Sequence, residues 1–168
     1  MQLNFGGING AMSWISRANN YNIKVHIWFD SCNNGKWVYN SRQQIGLNRY
    51  IKVVQSYVKI SWVSGILFGE MKYPGNSLLS YEETQGIVQA EKLVVASIHQ
   101  INSNCVVSIK LTPESNLSEI YYQRFYDAAS KYFDFVVPYV YKGNVKENVS
   151  TVSNTVDWYV KNSKGASV

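Results

Sequence analysis

Three carboxylates, Asp30, Glu70 and Glu114, stand where predicted strands end. Two carboxyl groups about 5 to 9.5 Å apart can hydrolyse a glycosidic bond, because one donates a proton to the leaving oxygen while the other acts as nucleophile or base. Glu70, at the end of the central strand, is the candidate acid, and its apolar neighbours would have to raise the pKa of its carboxyl group. Asp30 or Glu114 would be the second carboxylate. The alternative for each is a solvated acid at a strand or helix end, and Glu114 could simply favour the dipole of the following helix.

Aromatic rings and lysines also lie at or near the predicted strand ends. The C–H faces of a sugar stack on aromatic rings and its hydroxyl groups need hydrogen-bond acceptors, so rings beside carboxylates suit a carbohydrate. Each ring taken alone is more often a packing residue, and only the clustering at one predicted face favours a ligand site. The candidate substrate-binding residues are Trp28, Trp37, Lys72, Tyr73, Tyr141 and Lys142.

Other chemistries find little support in the sequence. No Gly-x-Gly-x-x-Gly or Gly-x-x-x-x-Gly-Lys motif follows a predicted strand, which argues against nucleotide binding. The formal net charge is +5, but the basic residues are spread singly, without the clustered stripe that nucleic-acid binding requires. Cys32, Cys105, His26 and His99 show no metal-ligand spacing, so we expect structural roles for them and predict no metal and no other cofactor.

The apolar pattern alternates between strand and helix along the chain. Apolar residues at intervals of three and four predict a helix after each strand, and Ser80 with Glu83 forms a capping-box pair that starts one of them. Such βα units, following one another without a hairpin signal, predict the α/β class with a parallel sheet covered by helices. The five predicted strands lie near residues 2–5, 24–29, 65–69, 105–111 and 133–138.

The strand near residues 24–29 alternates strictly, which assigns its two faces. Val25, Ile27 and Phe29 form the more apolar face, and we expect helices to cover it. His26 and Trp28 should therefore point to the opposite side, which is the interior if the sheet closes into a barrel.

Five segments carry a family resemblance over nearly the whole chain. In order they are Lys24–Trp28, Gly35–Trp37, Gly65–Gly75, Thr112–Glu114 and Val137–Asn144. These segments resemble successive strand-end motifs of the glycoside-hydrolase-like TIM-barrel domain of methanogen cell-surface proteins. The resemblance implies a (β/α)8 barrel, a polysaccharide or other glycan as partner, and an extracellular or cell-surface location.

The central strand departs from the family pattern. The Asp expected to be catalytic in the family falls on Gly69, its neighbouring Tyr is replaced by Glu70, and its His falls on Leu67. Because Phe68 and Glu70 share one face of a regular strand, Glu70 would reach the interior only through a bulge at Gly69. The loss of the Asp favours a non-catalytic role.

The length of 168 residues is short for a barrel of about 250 residues. We therefore predict an incomplete (β/α)8 TIM barrel of about five consecutive parallel βα units. Residues 1–168 would form one partial domain, a fragment of a longer barrel or a piece completed by flanking domains or a second chain.

The predicted function is that of a glycoside-hydrolase-like domain acting on or binding cell-surface polysaccharide. The alternative is a non-catalytic carbohydrate-binding or structural module of a surface protein. No apolar run approaches the roughly 18 residues of a membrane span, and the first residues lack the basic and then apolar layout of a signal peptide. We therefore expect no membrane span, and the surface location follows from the resemblance alone.

Overall fold

The computed structural model describes residues 8–29, 32–33, 36–37, 44–69, 81–111, 131–138 and 157. Helices and strands alternate through most of these ranges, and Asp157 is also helical. The helices are α1 (Ile8–Asn20), α2 (Gln44–Val58) and α3 (Tyr81–His99). The strands are β1 (Val25–Phe29), β2 (Cys32–Asn33), β3 (Lys36–Trp37), β4 (Val63–Phe68), β5 (Val106–Leu111) and β6 (Phe135–Pro138).

The main sheet has four parallel strands within the described ranges, in the order β1-β4-β5-β6. Each strand pairs with the next one of the sheet along the chain, and α2 and α3 form the connections from β1 to β4 and from β4 to β5. The predicted parallel order is confirmed for these four strands, with β4 beginning two residues earlier than expected. The predicted strand near residues 2–5 lies outside the described residues.

A small hairpin follows β1, where the sequence predicted none. Strands β2 and β3 pair antiparallel, with Cys32 opposite Trp37 and Asn33 opposite Lys36. The expectation that no hairpin interrupts the βα order was therefore wrong. Asparagine followed by glycine at positions 34 and 35 is the preferred two-residue connection of a tight hairpin, because both residues tolerate positive φ.

The helices pack on one face of the main sheet. The predicted apolar stripes of α1, α2 and α3 are largely confirmed, because their central residues are buried in one continuous core. The helices predicted after the last two strands lie almost entirely outside the described residues. Met12, four residues after Ile8 and three before Ile15 in the apolar pattern of α1, remains exposed. The core residues from the helices are Ala11, Ile15, Leu47, Tyr50, Val54, Val58, Ala90, Val94, Val95 and Ile98.

Strand alternation gives the sheet two different faces. Val25, Ile27 and Phe29 pack against the helical core, which confirms the predicted orientation of β1. Ile66, Phe68, Val107, Ile109 and Val136 of the neighbouring strands are buried in the same core. We call the opposite side the inner face; its described residues are His26, Trp28, Gly65, Leu67, Val106, Ser108, Lys110, Phe135 and Val137.

A register irregularity marks the start of β4 rather than its end. Val25 pairs with Val63, whereas His26 pairs with Gly65, so Ser64 is an extra residue in β4. Beyond this point the pairing is regular, and the Gly69 amide donates a hydrogen bond of 2.6 Å to the Phe29 carbonyl. Glu70 lies outside the described residues, so a bulge that turns its side chain inward stays a prediction.

Candidate carbohydrate-binding face

Most of the residues predicted for the site lie outside the described part of the chain. This holds for the three catalytic candidates and for four of the substrate-binding candidates, so the separation of the carboxylates stays a prediction. Trp37 lies in β3, in the hairpin that follows β1. The residues outside the described ranges are Asp30, Glu70, Lys72, Tyr73, Glu114, Tyr141 and Lys142.

Trp28 is the predicted site residue whose surroundings the structure defines best. It is the penultimate residue of β1, lies on the inner face, and is 47% exposed. The Lys110 ammonium nitrogen lies 4.8 Å from the centroid of the Trp28 ring, which is a cation–π contact. Lys110 belongs to β5, two strands away, so the contact spans β4.

A row of paired residues crosses the inner face from one aromatic ring to another. Trp28 pairs with Leu67, Leu67 with Ser108, and Ser108 with Phe135. Three interstrand spacings give this row a length of about 14 Å along the backbone of the sheet. Phe135 is 41% exposed, whereas Ser108 is buried and its hydroxyl donates to the Ile66 carbonyl at 3.4 Å. The row is therefore an apolar platform with an aromatic ring at each end.

His26 occupies the next row, nearer the amino ends of the strands. Its register partner is Gly65, and a Cβ atom at position 65 would lie 2.5 Å from His26 Cε1 and 2.7 Å from the Val106 carbonyl oxygen. The imidazole therefore rests directly on the backbone of β4, where a glycine makes room for it. This placement agrees with a structural role for His26.

One charged residue of the inner face, Lys110, lies near the carboxyl ends of the strands. Lys110 lies two residues beyond Ser108 on the same side of β5, so it stands one layer closer to the carboxyl end than the aromatic row. Apart from Lys110 and His26, the described strand residues of the inner face are neutral. Ligands of parallel α/β folds bind at this end of the sheet.

Lys110 and Phe135 were not predicted from the sequence as residues of the site. A signal for Lys110 was present, because it is a single charged residue within an otherwise apolar strand and shares the parity of Ser108. Phe135 and Val137 belong to a predicted strand, but the faces of that strand were not assigned. Their inward orientation becomes visible only through the pairing of β6 with β5.

A polar cluster at the opposite end of the sheet has a structural role. Asp134 Oδ2 accepts a hydrogen bond of 2.8 Å from the Val107 amide, and the Asp134 amide donates to the Val107 carbonyl at 2.8 Å. His99 Nε2 lies 3.5 Å from Asp134 Oδ2 and 3.2 Å from the Cys105 carbonyl oxygen. Burial, and then the negative charge of Asp134, raise the pKa of the Cys105 thiol. These contacts tie the amino ends of β5 and β6 together.

Neither a metal cluster nor a membrane-spanning helix is found where the structure is described. Within those ranges, no group of three or more His, Cys, Asp and Glu side chains could hold a metal ion. The described helices also include none that is long and apolar enough to cross a bilayer.

Comparison with solved structures shows the fold. No protein-family model and no curated protein matches this sequence. The chain is similar to catalytic domain 2 of the Group II chitinase of Ostrinia furnacalis, solved as a mutant in complex with penta-N-acetylchitooctaose, (NAG)5. The TM-score is 0.56 and the sequence identity is 14%. The match covers 90% of this chain and 44% of the chitinase chain. The same domain in a second structure gives a TM-score of 0.52 and 12% identity over the same shares of the two chains.

These similarities show the class of fold, because the chain shares the α/β architecture of these chitinase domains. At such low identity they show the fold alone. The chain spans less than half the length of the chitinase domains that it matches. The predicted α/β class with a parallel sheet is thereby confirmed, and the resemblance to methanogen cell-surface domains stays a prediction.

Proposed function

We propose that this chain is a glycoside-hydrolase-like domain that binds cell-surface polysaccharide on the inner face of an incomplete (β/α)8 barrel. The observation that carries the proposal is the position of Trp28, which is half-exposed near the carboxyl end of β1 and faces away from the helical core. In a barrel of parallel strands, that end of the interior is where ligands bind. Residues 1–168 would be one partial domain, with flanking domains or a second chain supplying the remaining strands.

The shape and chemistry of the aromatic row suit an extended sugar chain. Trp28 offers a ring for stacking against the C–H face of a pyranose, and Phe135 offers a second ring at the far end of the row. A row length of about 14 Å leaves room for a ligand of more than one sugar unit. One of the similar chitinase structures holds (NAG)5, which makes an oligosaccharide the natural ligand class to test.

Two observations favour binding over hydrolysis. Phe68, the last residue of β4, is buried on the helical side, and the pairing stays regular as far as Gly69. A regular continuation would point Glu70 toward the helices, away from the inner face. Gly69 also stands where the family resemblance places its catalytic Asp. We therefore favour the non-catalytic module.

Hydrolysis by Glu70 with Asp30 or Glu114 is the second candidate. It requires a bulge after Gly69 that turns Glu70 inward, with a carboxylate separation of at most about 10 Å. If Glu70 and its partner carboxylate catalyse hydrolysis, Glu70→Gln should abolish turnover while leaving retention on the polysaccharide nearly unchanged.

Retention and cleavage can be measured on the same samples. The protein is incubated with chitin and a panel of cell-wall polysaccharides, and both the retained protein and the released reducing ends are measured. We expect retention without release, and we expect Trp28→Ala to abolish retention. Trp14→Ala is a matched control, because Trp14 is 51% exposed but lies on α1 in the helical layer.

The outcomes separate the candidates. Equal retention of the Trp28→Ala and Trp14→Ala variants would remove the inner face as the binding surface. Release of reducing ends that disappears in Glu70→Gln would establish the hydrolase instead.

A further inference from the structure

We propose that the amino end of the main sheet is a docking surface for membranes that contain anionic lipids. Its apolar side chains would enter the boundary between headgroups and acyl chains, and its lysines would contact the lipid phosphates. The surface lies at the opposite end of the strands from the proposed sugar site, so the inference goes beyond the proposed function. We call its residues the amino-end patch; they are Tyr21, Ile23, Lys24, Lys59, Trp62 and Lys131.

Two neighbouring connections hold the apolar part of the amino-end patch. Residues 21–24 join α1 to β1, and residues 59–62 join α2 to β4. Strands β1 and β4 run parallel and Val25 pairs with Val63, so the two connections enter the sheet side by side at its amino end. Their residues therefore belong to one surface.

The apolar side chains of these connections are unusually exposed. Tyr21 and Ile23 are 76% and 59% exposed, more than any other large apolar side chain in the described ranges, and Trp62 is 39% exposed. A single exposed apolar residue is ordinary, whereas exposed apolar residues that lie together mark an interaction surface. The rings of Tyr and Trp, which are apolar with one polar atom, suit the boundary between water and lipid.

Hydrogen bonds fix the backbone that presents these side chains. The Ile23 amide donates to the Ala18 carbonyl at 3.0 Å, and Asn22 adopts a left-handed φ of 55°. This arrangement is a common end of an α-helix. In the second connection, the Val63 amide donates to the Ile60 carbonyl at 3.0 Å and closes the turn that carries the indole. Both connections thus have a hydrogen-bonded backbone that keeps their apolar side chains at the surface.

Three lysines give this end of the sheet a positive charge. Lys24 and Lys59 stand in the two connections, Lys131 precedes β6, and all three are exposed. Asp134 is the single acidic residue in the described parts of the connections that lead into the four strands, and its carboxylate already lies 3.5 Å from His99 Nε2. The alkyl stem of a lysine can lie along an apolar layer while its ammonium group stays at the phosphates. The charge of the amino-end patch therefore complements an anionic bilayer surface, which attracts each such lysine.

A lipid surface explains this combination better than an acidic glycan does. A sugar chain stacks on aromatic rings and pairs with charged groups, but it offers no apolar environment to an exposed aliphatic side chain such as Ile23. In a bilayer, Ile23 and the ring of Trp62 would gain the free energy of transfer out of water. Binding of this kind takes place at the membrane surface and requires no membrane-spanning helix.

Docking by this end leaves the proposed sugar site open. The amino-end patch and Trp28 lie at opposite ends of the same strands. The carboxyl end of the inner face would therefore point away from the bilayer. A membrane and a polysaccharide can then be bound at the same time.

Co-sedimentation with lipid vesicles tests the inference. The full chain is mixed at low salt with vesicles of phosphatidylcholine, either alone or with about one third phosphatidylglycerol. We expect about tenfold tighter binding to the anionic vesicles. The double variant Lys24→Gln with Lys59→Gln should remove most of this preference. Trp62→Ala should weaken binding about tenfold, whereas Trp14→Ala, which removes an exposed indole from the middle of α1, should leave it unchanged.

A second measurement separates insertion from attraction by charge alone. Phosphatidylglycerol that carries bromine atoms in its acyl chains should quench the tryptophan fluorescence of the bound protein. Most of this quenching should be lost in Trp62→Phe, which keeps an apolar ring but removes the indole. Urea denaturation of each variant shows whether its fold is intact, and retention on polysaccharide should equal that of the original protein because the inner face is unchanged.

Several results would overturn the inference while leaving the proposed function intact. These are equal binding to neutral and anionic vesicles, an equal loss in Trp62→Ala and Trp14→Ala, and quenching that persists in Trp62→Phe. Binding of polygalacturonate instead of vesicles, lost in the double lysine variant, would assign the amino-end patch to an acidic glycan. A dimer that Trp62→Ala dissociates would assign it to a second copy of the chain.

Discussion

The two faces of the main sheet are formed by the same strands but differ in how far their side chains are buried. On the helical face, Ile66, Phe68 and Val136 are almost completely buried, as the alternating apolar pattern requires. On the inner face, Trp28, Phe135 and Val137 remain 38 to 47% exposed. A difference of one position along a strand thus separates a buried side chain that stabilises the fold from a side chain that is exposed to solvent. Substitutions on the two faces should have opposite consequences for stability and binding.

The largest expected difference is between two phenylalanines on opposite faces. Phe68 is 2% exposed and its ring centroid lies 6.0 Å from that of Phe133 and 6.5 Å from that of Phe29. Phe68→Ala should lower the free energy of unfolding by about 3 to 5 kcal/mol, because it removes the ring and leaves a cavity. Phe135→Ala should cost about 1 kcal/mol or less, since its ring is already partly in water.

Urea denaturation of both phenylalanine variants gives the two free energies directly. Similar losses for Phe68→Ala and Phe135→Ala would mean that the inner face is as tightly packed as the helical one. The distinction between the faces would then be wrong.

The next largest effect is expected at Gly65, where the inner face leaves no room for a side chain. Gly65→Ala would bring a methyl group to 2.7 Å from the Val106 carbonyl oxygen and 2.5 Å from the His26 ring. The imidazole can rotate away, but the carbonyl oxygen belongs to the backbone of β5. We expect a loss of about 1 to 3 kcal/mol in the free energy of unfolding.

The double variant Gly65→Ala with His26→Ala separates two contributions to this loss of unfolding free energy. One is the clash with the His26 ring, and the other is the clash with the Val106 carbonyl oxygen. We expect the double variant to recover only part of the loss. Full recovery in a double-mutant cycle would show that the imidazole alone occupies the space at position 65.

How far the sequence predicts these features depends on whether their cause is local. The faces of β1 follow from the alternation of Val25, His26 and Ile27, so both could be assigned in advance. The extra residue at Ser64 could not, because it arises from the pairing of β4 with β1. Lys110 carried a local signal, but its contact with Trp28 depends on the order of three strands. Sequence patterns thus assigned Trp28 to the inner face and missed the cation beside it.

The third expected effect concerns Asp134, at the amino end of the sheet. Val107 is buried, and its amide donates to the Asp134 carboxylate at 2.8 Å. Asp134→Ala leaves this amide without that acceptor and should cost about 1 to 2 kcal/mol of unfolding free energy. Asp134→Asn keeps an acceptor oxygen and should cost less. Polysaccharide retention should not change in either variant, because neither substitution alters the carboxyl end of the inner face. A loss of retention would mean that the contacts at the amino end of the sheet affect binding at its carboxyl end.

The smallest expected effect is a pH dependence from Cys105 on the buried side. Cys105 is 1% exposed, and burial followed by the charge of Asp134 raises its thiol pKa above the ordinary value of 9.0. The folded state therefore holds the proton more tightly than the unfolded state. This contribution to stability is fully present below the unfolded pKa near 9.0 and is lost as the pH rises through the higher folded pKa.

The contribution of Cys105 can be isolated by subtraction, since other groups also titrate in alkali. The unfolding free energies of the original protein and of Cys105→Ala are measured by urea denaturation from pH 7 to pH 11. We expect their difference to stay constant below about pH 9 and to shift against the original protein at higher pH. A difference that is flat across the whole range would mean that the thiol pKa is not raised. A shift in favour of the original protein would mean that the folded state stabilises the thiolate, which burial on the helical side does not allow.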